Sequence, residues 1–137
     1  MTDENKTPAH NTMQVLDDGI IELKLAGYQT PKTIVEHSGE ISALIKEHRE
    51  KKTPALIMVD ISGVTGHESM VREIAHNNLT NDFDSMAIVT ADNITARLIG
   101  NWLVKIVGQG ERVRFFEQRN DALEWLKTEV QSRPQDV

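Results

Sequence analysis

Between Pro54 and Gly63 the chain runs Ala55-Leu56-Ile57-Met58-Val59, five apolar side chains in a row, and then meets Asp60. An apolar run that short, bounded by proline and glycine, reads as a strand buried on both faces. Such strands occur where helices cover both sides of a sheet, so this stretch constrains the fold more than any other. Beyond it, Asp60-Ile61-Ser62-Gly63-Val64 leads into a polar segment, Thr65-Gly66-His67-Glu68-Ser69. In open α/β sheets, ligands sit at the carboxyl ends of the strands, which makes this segment a candidate loop site.

The rest of the chain alternates in the manner such a strand requires. Met1 to Asn11 is polar and charged, a disordered tail by composition. Met13 to Leu16 reads as a strand, Asp17-Asp18-Gly19 as a hairpin turn, and Ile21, Leu23 and Leu25 alternate with Glu22 and Lys24. That period of two predicts a half-buried strand with one wet face. Thr30-Pro31 starts a helix running to about Lys51, with an irregularity near His37-Ser38-Gly39. A second helix is expected over Met70 to Leu79, and a strand over Met86 to Val89. Asp92 or Asn93 then caps a third helix with a wide apolar face and a polar stripe of Arg97, Asn101 and Lys105. Val113 to Phe116 is the last strand, and Asn120 and Asp121 open the last helix. The order is β-β-α-β-α-β-α-β-α. It predicts an α/β fold with a single mixed sheet of about five strands and four helices, an N-terminal antiparallel hairpin and the remaining strands parallel. The expected domain spans residues 12–131, with tails at 1–11 and 132–137.

Several function classes are excluded. Cysteine is absent, which removes disulfides, thiolate nucleophiles and Cys-based metal sites. With net charge −6, scattered basic residues and six aromatics, nucleic acid is not an expected partner. Lys46, Arg49, Lys51 and Lys52 cluster where a helix ends, and cations there complement its dipole. The longest apolar run is far short of the roughly 20 residues that span a bilayer. Residues 1–12 hold no apolar signal core, so a cytoplasmic location is expected. The sequence holds none of the motifs G-x-G-x-x-G, Walker A, H-E-x-x-H or G-x-S-x-G. His67 and His76 are nine positions apart, a rotation of about 900° on a helix, and so on opposite faces. No metal and no cofactor is expected. Ser62 or Ser69 with His67 and Asp60 carries the residue types of a triad, but neighbours along one loop are poorly placed for a proton relay.

Val59-Asp60-Ile61-Ser62-Gly63-Val64 resembles the central strand and loop of STAS domains, the fold of anti-sigma-factor antagonists. The closing Val113-Arg114-Phe115-Phe116-Glu117 and Ala122-Leu123-Glu124-Trp125-Leu126 resemble the ending of the SpoIIAA-like branch, as do Gly27 with Thr30 and Met86-Ala87-Ile88-Val89. The resemblance implies a non-enzymatic module that binds a protein partner, a small apolar ligand or a membrane surface. Of the loop or partner candidates, Asp60, Ser62 and Ser69 match the family's loop, and Thr65 and His67 come from the polar segment between them. The apolar-groove candidates are Met70, Ile74, Leu98 and Trp102, between the second and third helices. An alternative is a phosphorylation-gated regulator. Ser69 aligns with the family's phosphorylated serine, although Met70 and Val71 stand where a second serine and a glycine belong. A further alternative is an enzyme acting at residues 60–69.

Overall fold

Alternation of this kind is what a computed structural model shows; it describes residues 7–71, 73, 83–107 and 112–132. Strands β1 (Thr12–Val15), β2 (Ile21–Gln29), β3 (Leu56–His67), β4 (Ser85–Val89) and β5 (Val113–Phe116) form one sheet in that spatial order. β1 pairs antiparallel with β2, and every later pairing is parallel. The helices are α1 (Pro31–Ile34), α2 (Ser38–Lys51), α3 (Ile94–Val107) and α4 (Arg119–Ser132). The helix expected over 70–79 lies almost wholly outside the described residues. Val71 does adopt helical backbone, with its N–H bonded to the Glu68 carbonyl.

Alternating side chains of the strands divide the core in two. Ile21, Leu23, Ile57, Val59, Ile61 and Ile88 point to the face covered by Ile45 of α2 and Ala96 and Ile99 of α3. Leu56, Met58, Ala87 and Val89 point to the other face, which Ala122 and Leu126 of α4 cover. Each fully buried Ile, Leu or Met contributes about 1.5–3 kcal/mol. That is why the five-residue run at β3, apolar on both faces, anchors the sheet.

Four expectations need correction. The face of β2 expected to be wet is so at Lys24, which is exposed, but Glu22 is covered by α4 and only 2% exposed. Its carboxylate is tolerated there because Arg119, at the start of α4, donates to it through Nε (2.8 Å) and Nη2 (3.2 Å), and Gln14 donates through Nε2 (2.7 Å). The single helix expected from Thr30 to Lys51 is broken at residues 35–37. The Val35 carbonyl accepts both the N–H and the hydroxyl of Ser38. Both ring nitrogens of His37 are engaged, Nδ1 by Glu40 (2.7 Å) and Nε2 by the Asn11 carbonyl (3.2 Å).

The third correction concerns residues 7–11, which run against β2 rather than as a loose tail. Tyr28 N–H donates to the Thr7 carbonyl and His10 N–H to the Ala26 carbonyl. The buried Asn11 amide exchanges hydrogen bonds with Gln29, Ala26 and the Thr33 carbonyl. Gly27 permits this approach: at φ +82°, a Cβ would lie 2.4 Å from the Pro8 carbonyl oxygen. Fourth, the polar segment after Asp60 is not a loop. β3 continues to His67, pairing Gly63 with Ala26, Gly66 with Tyr28 and His67 with Gln29, with register shifts between Lys24 and Ala26 and between Gly27 and Tyr28.

Candidate functional site

β3 outruns β4. Their register ends at Asp60 opposite Val89, whereas β2 and β3 stay paired for several residues more. Asp60 sits at this departure, only 7% exposed, and its Oδ1 accepts the N–H (3.0 Å) and the hydroxyl (2.6 Å) of Ser62. A carboxylate holding the backbone two residues on is a local turn device, here inserted in a strand. Past that point the β3 carbonyls have lost β4 as a partner. Asn93 takes its place: Nδ2 donates to the carbonyls of Ser62 (2.8 Å) and Val64 (3.1 Å). The same side chain accepts the Ala96 N–H through Oδ1 (3.2 Å), which caps α3. One amide therefore fixes the start of α3 to the extension of β3.

On the α4 side of the sheet Glu22, Asp60 and Arg119 come together, with Lys24, paired to Asp60, adding weakly to the field at Glu22. The Arg119 guanidinium holds the Glu22 carboxyl below the usual carboxylate range, against an opposing push from burial. Glu22 first, and Asp60 more weakly, raise Arg119 in return. On the opposite side of the molecule, hydrogen bonds to Glu40 first, and then to the Asn11 carbonyl, raise His37.

Of the residues singled out in the sequence, Asp60 and Ser62 are brought together. Thr65 and Ser69 are exposed, and His67 is half-buried with Nδ1 against the Glu68 carbonyl at 2.8 Å. Asp60 and His67 pair with Lys24 and Gln29, five positions apart on β2, which separates them by roughly 16 Å along the strand. Met70 and Leu98 are 50% and 63% exposed. Ile74 and the Trp102 side chain lie outside the described residues. Ile94 is 73% exposed, one helical turn before Leu98 and opposite the buried Ala96 and Ile99, so α3 carries an outward apolar stripe. Among the described residues, no group of three or more His, Asp or Glu side chains is placed to hold a metal ion. No helix among them is long and apolar enough to cross a membrane.

Sequence reasoning missed a groove at the carboxyl ends of β4 and β5. It encloses about 370 Å³ and is lined by Thr90, Arg97, Asn101, Phe115, Phe116 and Glu117. Arg97 Nη2 donates to Glu117 (3.0 Å) and lies 3.6 Å from Asp92. Immediately after the buried Thr90, which lines the groove, Ala91 adopts the left-handed region, φ +51°. The sequence signal was present in the Arg97 and Asn101 stripe, which reads equally well as a solvated face.

No curated protein sequence matches this chain. Among solved structures it is similar to an anti-sigma factor antagonist from Mycobacterium paratuberculosis, at TM-score 0.56 and 16% identity over 88% of this chain and 95% of that one. It is also similar to an uncharacterised protein with a SpoIIAA-like fold from Shewanella loihica, at TM-score 0.53 and 18% identity over 86% and 93% of the two chains. At such identities the likeness is one of fold. The SpoIIAA-like family model matches residues 20–127, a span that takes in β2 through most of α4 and includes Asp60, Ser62 and Asn93. The chain is a member of the SpoIIAA-like family.

Proposed function

We propose that this chain is a non-catalytic interaction module whose docking surface is the outward stripe of α3 together with Met70. The observation that carries the reading is the exposure of Ile94 (73%) and Leu98 (63%) side by side on a helix whose start is pinned by Asn93. Large apolar side chains grouped on a rigid surface mark contact sites. A protein partner is favoured over anionic membrane, since the chain carries net charge −6. Catalysis is disfavoured because the Asp60 carboxylate is spent on Ser62, and His67 lies well along the strand from it. A photo-crosslinking residue at position 98 should give discrete adducts in cells, lost in an Ile94→Asp background, whereas the same group at Lys127 should not. Identical adduct patterns from both positions would overturn the docking surface.

A phosphorylation-gated regulator is the second reading, and the exposure of Ser69 just before helical Val71 favours it. A phosphoserine before a helix gains from the dipole and the free N–H groups. Phosphopeptide mass spectrometry of the chain from its native cells decides it: unmodified Ser69 under every growth condition removes the reading.

A further inference from the structure

We propose that the groove between α3 and the ends of β4 and β5 binds a small aromatic monocarboxylate. The groove lies beyond the docking stripe, on the flank of α3 where Gly100 abuts Phe115. A Cβ at Gly100 would come within 2.5 Å of the Phe115 ring. Its volume, about 370 Å³, is at the lower end of the range for small-molecule sites.

Three features of the lining set the ligand chemistry. Phe115, 43% exposed and set against Gly100, gives an aromatic wall against which a planar ring packs in an offset or edge-to-face arrangement, while the neighbouring Phe116 turns its ring to Trp125 on the α4 face. Arg97 directs one nitrogen, Nη2, to Glu117 and Asp92, and its Nε and Nη1 meet no acceptor among the described residues. The Asn101 amide likewise has no hydrogen-bond partner among them, so the groove holds unspent donors beside an apolar wall. Either two-point edge of a guanidinium, Nε with Nη2 or Nη1 with Nη2, includes Nη2, so a carboxylate binds Arg97 in two-point geometry by taking the place of Glu117. The chain's own Glu117 already shows that a carboxylate is accepted at this position, at 3.0 Å from Arg97.

Charge narrows the choice further. Asp92 and Glu117 flank the guanidinium, so a dianion such as a phosphate monoester meets about twice the repulsion from these two carboxylates that a monoanion meets. Glu117 is then an internal competitor, a side chain that a bound carboxylate displaces from Arg97. This assigns opposite signs to two substitutions. Glu117→Gln removes the competitor and its charge and strengthens binding, whereas Arg97→Gln removes the anchor and weakens it.

The probe is sodium benzoate, titrated into the ¹⁵N-labelled full chain at constant ionic strength, with benzyl alcohol as the uncharged control. Saturable amide shifts are expected at Thr90, Asn101 and Phe115, with benzyl alcohol at least tenfold weaker. Glu117→Gln should tighten benzoate about fivefold, and Arg97→Gln should weaken it at least tenfold. Both positions are solvent-facing, so melting temperatures check that the fold is intact. If Arg97→Gln proves unstable, Asn101→Leu carries the same expectation of weakening. The proposal is overturned if benzoate and benzyl alcohol bind alike, if the shifts map elsewhere, or if Glu117→Gln weakens binding.

Discussion

Asn93 shows how much one side chain can be asked to do. It caps α3 as an acceptor and holds two β3 carbonyls as a donor. Aspartate is nearly isosteric and an equally good cap, but it would turn a carboxylate oxygen toward the Ser62 and Val64 carbonyls. Asn93→Asp should therefore cost at least as much as Asn93→Ala, about 1–3 kcal/mol in urea denaturation; a milder effect of the aspartate would show that the carbonyl tether contributes nothing. Glu22 supplies a second test. Its folded pKa is depressed by Arg119, so its contribution is present above the unfolded value of about 4.3 and is lost as pH falls through the folded value. Glu22→Gln should destabilise by about 1–3 kcal/mol at pH 7, and the difference from wild type should shrink steadily below about pH 4. A gap that stays constant down to pH 2.5 would contradict the pairing. Of these roles, only the Asn93 cap was legible beforehand. Asn93 could be read as a cap because capping is local in sequence, but its carbonyl partners lie about 30 positions away. Glu22 alternates with apolar residues as a wet-face residue does, and only the arrival of α4 reverses that meaning.

Among the elements, the junction of α1 and α2 has an unusual connector. Both His37 ring nitrogens face acceptors, and a neutral imidazole has one N–H to give. The doubly protonated ring satisfies both, consistent with its raised pKa. A raised folded pKa places the stabilisation below the unfolded value of about 6.5, and it is lost as pH rises through the folded value. His37→Gln should flatten that part of the pH–stability curve between about pH 6 and 8, read by thermal melts across the range. An unchanged slope would remove the junction as a titrating contact. The hairpin, the central strand, β4, β5 and the last helix were all legible because each carries its own period or its own turn residues. The extension of β3 was not. Thr65-Gly66-His67 has the composition of a loop, and what makes it a strand is the pairing with Tyr28 and Gln29, a nonlocal event.

For the molecule as a whole, the asymmetry of the two faces matters most. One face is closed by helices lying between strands in the sequence, the other by α4 alone among the described elements. Removing residues 118–137 should bare Leu56, Met58, Ala87 and Val89 and leave Glu22 facing an apolar surface without Arg119. The shortened chain is expected to lose its cooperative thermal transition and to bind a hydrophobic dye strongly. Retention of a sharp transition would place the stability of the sheet elsewhere.

That arrangement also orders events in time. Glu22 and Arg119 are separated by 97 positions, so the carboxylate leaves the ribosome long before its cation does. Until α4 docks, the nascent sheet holds a charge and an apolar surface on the same open face, and the two oppose each other: the first keeps water in, the second drives it out. The arrival of α4 both neutralises the charge and expels the water. Because the sheet without α4 is expected to lack a cooperative transition of its own, docking of that helix and consolidation of the sheet are one event, and a chaperone that shields this face would have a defined moment to let go.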